Sequence, residues 1–248
     1  MKFYRRLAPF KAISFDLDDT LYSNHPIMQI TGDAMVAYFQ KELPRLLNNS
    51  FDIQAEFDIN FWSAYKQKAL AFKPELSHDV THLRIESYYL GMIDLGIAKK
   101  QARQAAQQAL EHFDFHRSNF TVPDNIHKLL EALAKKWPLI AISNGNVNTH
   151  TINLNQYFNA IYHAGVCSSG KLNKQKPCSD MFDRACQHLK IRPSELLHVG
   201  DCGKADILGG ILAGCQTAWV SRFTVGKPLS ILPNLELSDV DELHQFLS

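Results

Sequence analysis

The sequence predicts an α/β protein: a doubly wound parallel-sheet core, interrupted early by an inserted helical unit. Three observations carry this. A short apolar run, Ala12-Ile13-Ser14-Phe15, ends in two carboxylates one residue apart, Asp16 and Asp18. From about residue 23 to 119 the apolar residues recur at helical spacing instead. After Pro123, short apolar runs alternate with amphipathic stretches, the pattern of a parallel sheet covered on both faces. The first run belongs with the later ones. The core is therefore expected at residues 1–22 and 120–248, a Rossmann-like arrangement, with the helical domain at 23–119.

The elements follow in order. Residues 12–15 read as a buried strand. In the insertion, Ile27, Ile30, Ala34, Met35 and Tyr38 share one helical face, and Pro44 with Asn48-Asn49-Ser50 punctuates that helix. Ala105, Ala106, Ala109, Leu110 and Phe113 share another face. Beyond it, Ile126, Leu129, Leu130 and Leu133 mark a helix and Leu139 to Ile142 a strand. Ile161 to Ala164 is a weaker strand signal. Met181 to Leu189 is helical, Leu196 to Val199 a strand, Ile207 to Ala213 a helix, and Thr217 to Val220 a strand. Glycine usage supports the division: only Gly32, Gly91 and Gly96 precede residue 145, and nine others follow.

The chain has 248 residues, 46% of them apolar, and a formal net charge of +1. Nothing in that charge favours nucleic acid or a membrane surface. The basic start, Met1 to Arg6, has no long apolar stretch after it and is not a secretory signal. The run from Ile207 to Val220 is too short and glycine-rich to span a bilayer. The five cysteines show no CxxC pair, so reduced thiols in a cytoplasmic protein are expected.

The chemistry concentrates at strand ends. Residues i and i+2 of an extended segment point to one side, so Asp16 and Asp18 can face one site. One carboxylate can attack or hold a metal while the other handles a proton. The strand at 139–142 runs into Ser143-Asn144-Gly145, which suits an anion such as phosphate. The strand at 196–199 runs into Gly200-Asp201, with Asp206 beyond. Between them lies Lys176-Pro177. Parallel strands bring all these ends to one edge of the sheet, where open α/β sheets bind ligands. Clustered carboxylates need a cation, and an oxygen-only donor set suits Mg²⁺. Magnesium, a lysine and a hydroxyl are suited to phosphoryl transfer.

These residues, in this order, resemble the haloacid-dehalogenase superfamily of phosphohydrolases. Asp16 to Thr20 matches the DxDxT signature, Ser143 with Asn144 the second motif, Lys176 the third, and Gly200 to Asp206 the GDxxxxD of the fourth. The insertion resembles the helical cap found after the first motif in some members. The resemblance implies that Asp16 attacks phosphorus to form an aspartyl-phosphate, and that Asp18 protonates the leaving group and then activates water. It implies that Mg²⁺ binds the Asp16 carboxylate, the Asp18 backbone carbonyl and Asp201, and that Ser143, Asn144 and Lys176 bind phosphate. Thr20 would order the loop, and Asp206 would hold a metal-bound water or Lys176. Two departures stand out: Ser179 replaces a frequent proline, and Ala205 a frequent asparagine. Phe3-Tyr4-Arg5, His78 to Thr81, Lys135 to Leu139 and Ser179 to Met181 also resemble a bacterial branch acting on flavin mononucleotide and on 5-amino-6-(5-phospho-D-ribitylamino)uracil. The substrate expected is thus a small phosphorylated metabolite, with no nucleic acid or membrane partner; oligomeric state is open.

Other features have plainer readings. An EF-hand from Asp16 fails, since Leu21 and Ile27 stand where Gly and Glu are required. His78 with His82, and His112 with His116, lack the HExxH glutamate and read as exposed or substrate-facing pairs. Cys202 reads as a space-filling thiol. Phe57, Phe61, Trp62 and Tyr65 read as core of the insertion, and Tyr88 and Tyr89 likewise. Arg84 could meet a phosphate, a polar ring edge or a surface partner. Two rivals remain: a haloacid-type dehalogenase, which does not need Asp18, and a phospho-accepting signalling module without rapid turnover.

Overall fold

The computed structural model describes residues 1–47, 57–167, 170–223 and 226–247. The chain divides into two compact units, one formed by Met1–Asn24 and Thr121–Ser248, the other by His25–Phe120.

The first unit is built on a seven-stranded sheet. Its strands are β1 (Lys2–Phe3), β2 (Ala12–Phe15), β3 (Leu139–Ser143), β4 (Ala160–His163), β7 (Leu196–Gly200), β8 (Gln216–Val220) and β9 (Leu235–Leu237), in the order β1-β9-β8-β7-β2-β3-β4. Every pairing is parallel except β1 with β9. A two-stranded hairpin, β5 (Gly165–Val166) and β6 (Leu172–Asn173), stands apart. The helices are α5 (Asp124–Ala134), α6 (Asp180–Leu189) and α7 (Gly209–Leu212), the last preceded by a π-helical turn at Gly203–Leu208. β2, β3 and β7 are buried along their whole length, which explains their unbroken apolar runs. Ile126, Leu129, Leu130 and Leu133 form the buried face of α5. Met181, Phe182 and Ala185 of α6 join Ile140, Ile142 and Leu196 in one cluster.

β2 lies between β7 and β3, with later strands running outward on either side. The order reverses there, and a crevice opens at the carboxyl ends of strands at such a point. Register places Ser14 of β2 beside Ile140 on one side and His198 on the other. β1 and β9 carry no sequence signal of their own. They are two and three residues long, below the length at which alternation is visible.

The second unit consists of α1 (His25–Leu46), α2 (Ile59–Phe72), α3 (Val80–Asp94) and α4 (Lys99–Arg117). Phe39, Trp62, Tyr88, Met92, Ala106, Ala109 and Phe113 lie in its core. Small side chains on α4 (Ala102, Ala105, Ala106, Ala109) are all buried. Gly91 of α3 leaves the space that the Trp62 indole fills: a Cβ there would meet Trp62 Cζ3 at 2.6 Å. Asp58 caps α2 by accepting from the Asn60 and Phe61 amides, and Asp79 caps α3 by accepting from that of His82. Among the described residues, no helix is long and apolar enough to cross a membrane.

The helical unit corrects two expectations. The buried stripe of α1 is Thr31, Met35, Phe39 and Leu43; of the face expected, only Met35 is buried, and Ile30 is 64% exposed. Two neighbouring stripes both satisfy helical spacing, and the one with strict i+4 repeats takes the core. Pro44 does not end the helix but sits in its last turns. Asn48-Asn49-Ser50 lies outside the described residues. His82 is exposed, and its ring bonds Asp79 Oδ2 at 2.7 Å beside the α3 cap. His112 stacks on Tyr38 and lies 4.6 Å from the His116 ring centre.

Phe39 is fully buried among Trp62, Tyr88 and Tyr38. Phe39→Ala should cost about 3–5 kcal/mol in urea unfolding followed by circular dichroism.

Candidate active site

All the candidate residues fall in the first unit, around the end of β2. Asp16 follows β2 directly, its amide donating to the Val199 carbonyl at 2.9 Å. The chain then turns sharply. Asp19 takes a left-handed conformation (φ 57°), which aspartate tolerates better than most residues. Its side chain accepts from the Asn24 amide at 2.8 Å. Asp18 pairs with Tyr22 across this loop, and the Tyr22 hydroxyl donates to Asp18 Oδ1 at 2.9 Å. Thr20, buried, donates to Asp201 Oδ1 at 3.3 Å. The loop is thus tied to the fourth motif through Thr20.

Lys176 lies at the centre. Its Nζ donates to Asp16 Oδ1 at 2.7 Å, to Asp206 Oδ1 at 2.7 Å and to the Ile142 carbonyl at 2.6 Å. The residue is 3% exposed. Asn144 clamps the lysine's main chain: Asn144 Oδ1 accepts from the Lys176 amide at 2.8 Å, and Nδ2 donates to the Lys176 carbonyl at 3.0 Å. One of the two Nδ2 hydrogens is left over. Ser143 is buried, and its Oγ accepts from the Gly145 amide at 3.0 Å.

Asp206 is fully engaged by protein. Besides Lys176, Oδ1 lies 3.1 Å from His198 Nε2, and Oδ2 accepts from the Cys202 amide at 2.9 Å. His198 Nδ1 in turn meets Ser14 Oγ at 2.9 Å. A buried polar chain, Ser14–His198–Asp206–Lys176–Asp16, therefore runs beneath the strand ends. Ser14 and His198 were missed in the sequence. The available signal was a polar residue inside each of two otherwise apolar strands. Gly200 makes the geometry possible, since a Cβ there would lie 2.3 Å from Asp206 Cγ. Cys202 is half-buried, and its Sγ accepts from the Ala205 and Lys227 amides at 3.4 Å. All five cysteines are free thiols.

Burial and charge set the protonation pattern. Burial opposes the ammonium of Lys176, but Asp16 and Asp206 outweigh it and hold its pKa above the usual lysine range. Burial would raise Asp206, yet Lys176 and His198 hold it well below the usual carboxylate range. Burial lowers the pKa of His198, against the pull of Asp206. Asp16 is raised well above the ordinary value by burial, which exceeds the pull of Lys176, with Asp206 and Asp201 adding repulsion. Burial, Asp206 and Asp19 push Asp201 up to about 7. Three carboxylates, Asp16, Asp201 and Asp206, place oxygens within 4.8 Å of one another, and one lysine pairs with two of them, Asp16 and Asp206. A divalent cation would neutralise the remainder, and an all-oxygen donor set fits magnesium. Asp206 has its oxygens occupied, so Asp16 and Asp201 are the carboxylates that fit the ion. A cavity of about 410 Å³ borders Asp201, Trp219 and Lys227, and Trp219 Nε1 donates to the Asp201 carbonyl at 2.7 Å.

The strand-end site and its four motifs are those of a hydrolase, and comparison with known proteins agrees. The model of the haloacid dehalogenase-like hydrolases matches residues 10–214, and the chain belongs to that family. It is 35% identical to the 5-amino-6-(5-phospho-D-ribitylamino)uracil phosphatase YigB of Escherichia coli, over 98% of each chain. The 2-haloacid dehalogenase structure from Pseudomonas syringae superposes with a TM-score of 0.84 at 26% identity, covering 96% of this chain and 98% of that one. The magnesium-bound HAD-hydrolase YfnB of Bacillus subtilis, 18% identical, shares the fold at a TM-score of 0.63, covering 97% of this chain and 99% of that one.

Two outcomes follow from the electrostatics. Lys176→Met leaves two carboxylates buried without their partner and should cost about 3–5 kcal/mol of stability, measured by urea unfolding. In EDTA, stability should fall as pH rises from about 4 to about 7, because folded Asp201 retains a proton that the unfolded chain has lost. Asp201→Asn should flatten that slope in melting curves taken across the range.

Proposed function

We propose that this protein is a magnesium-dependent phosphatase of a small phosphorylated metabolite, working through an aspartyl-phosphate. Family membership and the curated phosphatase relative support a phosphoric monoester hydrolase. The single observation that carries the mechanism is Asp16, held through Oδ1 by Lys176 at the end of β2, with Asp18 two residues on.

Asp16 attacks phosphorus and expels the alkoxide, giving the acyl phosphate. Asp18, oriented by the Tyr22 hydroxyl, donates a proton to the departing oxygen. It then takes a proton from the water that hydrolyses the intermediate, so one group serves both displacements. Ser143 and Asn144 hold phosphate oxygens, Asn144 with the N–H that its bond to Lys176 leaves over. Lys176 offsets charge on Asp16 and the phosphoryl group. Asp16, the Asp18 main-chain carbonyl and Asp201 would hold magnesium, which supplies positive charge beside the phosphoryl oxygens when bound. Thr20 keeps Asp201 in place, and Asp206 keeps Lys176 in place. The helical unit is the part proposed to select the substrate. Flavin mononucleotide and the ribitylamino-uracil phosphate are the substrates proposed, the second by likeness to the Escherichia coli relative. A cytoplasmic location accords with five free thiols.

A second reading, haloacid dehalogenation, is favoured by the Pseudomonas syringae structure. Asp18 argues against it, because displacement of halide needs no protonation of the leaving group.

The test is phosphate release from a metabolite panel that includes both proposed substrates, with magnesium and with EDTA. Magnesium-dependent release is expected, greatest with those two. Chloride release from a 2-haloacid without metal, and no phosphate release, would overturn the reading. Asp16→Asn should lower turnover by about a thousandfold or more while the circular dichroism spectrum is kept. Asp18→Asn should slow both phosphoenzyme formation and its hydrolysis by about 10²–10⁴-fold in rapid-quench kinetics.

A further inference from the structure

We propose that Trp219 and Gly226 are positioning residues that aim the Asp201 carboxylate at its cation. The role rests on the reading of Asp201 as a magnesium ligand, and it falls to two residues outside the four motifs.

Asp201 is held differently from Asp206. The Asp206 carboxylate is bonded by Lys176, His198 and the Cys202 amide. The Asp201 carboxylate accepts from Thr20 at 3.3 Å, longer than usual for a hydroxyl donor. Its aim therefore depends on how its main chain is held. β7 ends at Gly200, so the Asp201 carbonyl lies beyond the ladder and needs a donor from elsewhere. Register sets Trp219 of β8 directly beside Gly200, one residue short of Asp201. Ala218 and Val220 are buried on one face of β8, and Trp219 points to the other, where it is half-buried. From there its indole N–H reaches the Asp201 carbonyl at 2.7 Å.

A second support comes from the chain beyond β8. Gly226 lies against the same peptide. A Cβ there would come within 2.7 Å of Asp201 Oδ2 and of Cys202 Cα, and 3.0 Å of the Asp201 carbonyl oxygen. The segment that carries Gly226 is pinned in turn. The Gly203 amide donates to the Lys227 carbonyl at 2.7 Å, and the Lys227 amide donates to Cys202 Sγ at 3.4 Å. Gly203 gives room for this contact, since a Cβ there would lie 2.4 Å from the Pro228 carbonyl oxygen. Residues 201–203 are thus braced from β8 by the indole and from beyond it by residues 226–228.

Magnesium makes such a brace matter. It demands near-ideal octahedral geometry, with ligands at about 2.0–2.1 Å, so a misdirected carboxylate binds it poorly. Groups that orient a metal ligand without touching the metal are typically worth about 10–100-fold in affinity. Trp219 does this through the main chain of Asp201, and Gly226 by leaving Oδ2 its place.

Titration calorimetry of the whole protein with magnesium chloride tests the role and needs no substrate. The parent should bind magnesium, and Asp201→Asn should lose it. Trp219→Phe keeps aromatic packing and removes the N–H; Gly226→Ala sets a methyl group against Oδ2. Each should weaken magnesium binding about tenfold while the circular dichroism spectrum is kept. Phe39→Ala, destabilised in the helical unit, should bind magnesium as the parent does. A matching loss in Phe39→Ala would mark the effect as general destabilisation and overturn the role. Unchanged magnesium affinity in both Trp219→Phe and Gly226→Ala, with only the melting temperature in EDTA lowered, would overturn it while leaving Asp201 as a ligand. Weakening in one of the two alone assigns the role to that residue and removes it from the other. A parent that binds no magnesium, or binds it equally in Asp201→Asn, overturns the metal assignment and the positioning role with it.

Discussion

The Lys176 ammonium is the interaction on which the site depends. Four separate stretches of chain meet on it: Asp16 after β2, Ile142 within β3, the loop before α6 that carries the lysine, and Asp206 in the turn after β7. Without that charge, carboxylates crowded within 4.8 Å would repel one another in a largely buried site. The ammonium also divides the acids into two kinds. Asp206 is committed to Lys176, His198 and the Cys202 amide. Asp16 and Asp201 keep raised pKa values. Asp206 is an anchor first, which accounts for its burial at the base of the site.

Topology delivers these groups. β2 is central, and the strand order reverses beside it, so the ends of β2, β3 and β7 share one edge. Parallel register sets Ser14 against His198 and carries a polar line through two apolar strands. Each member of that line has a partner, which is the condition for burying it without a large penalty. Gly200 is part of the same device, because any side chain there would displace Asp206.

The helical unit follows a different logic. Its core is aromatic and aliphatic packing around Phe39 and Trp62, with short alanines on α4 where bulk has no room. No motif governs it. A phosphatase and a dehalogenase both resemble this chain over nearly its full length. Chemistry in such a family lives in particular side chains grafted on a shared frame, not in the frame itself. Asp18 with its Tyr22 partner is the feature of this chain that bears on the difference.

The parts determined by the sequence alone are local or carried by fixed spacing. The buried strands β2, β3 and β7 read as unbroken apolar runs because both their faces are covered. Three of the four motifs were legible because each sits at a strand end, where a short run of polar residues follows an apolar one; the third, Lys176, lies in the loop before α6. What only the tertiary structure decided depends on contacts distant in sequence. The stripe of α1 that is buried was ambiguous, since 3.6-residue periodicity admits two adjacent faces and only packing chooses Met35, Phe39 and Leu43. The edge strands β1 and β9 are too short to carry a period. His198 and Ser14 lie 184 residues apart, and nothing local announces their bond. The clamp of Asn144 on Lys176 is of the same kind. Spacing specifies which residues can serve a site, but burial and partners, which fix charge and orientation, exist only once the sheet has brought the strands together.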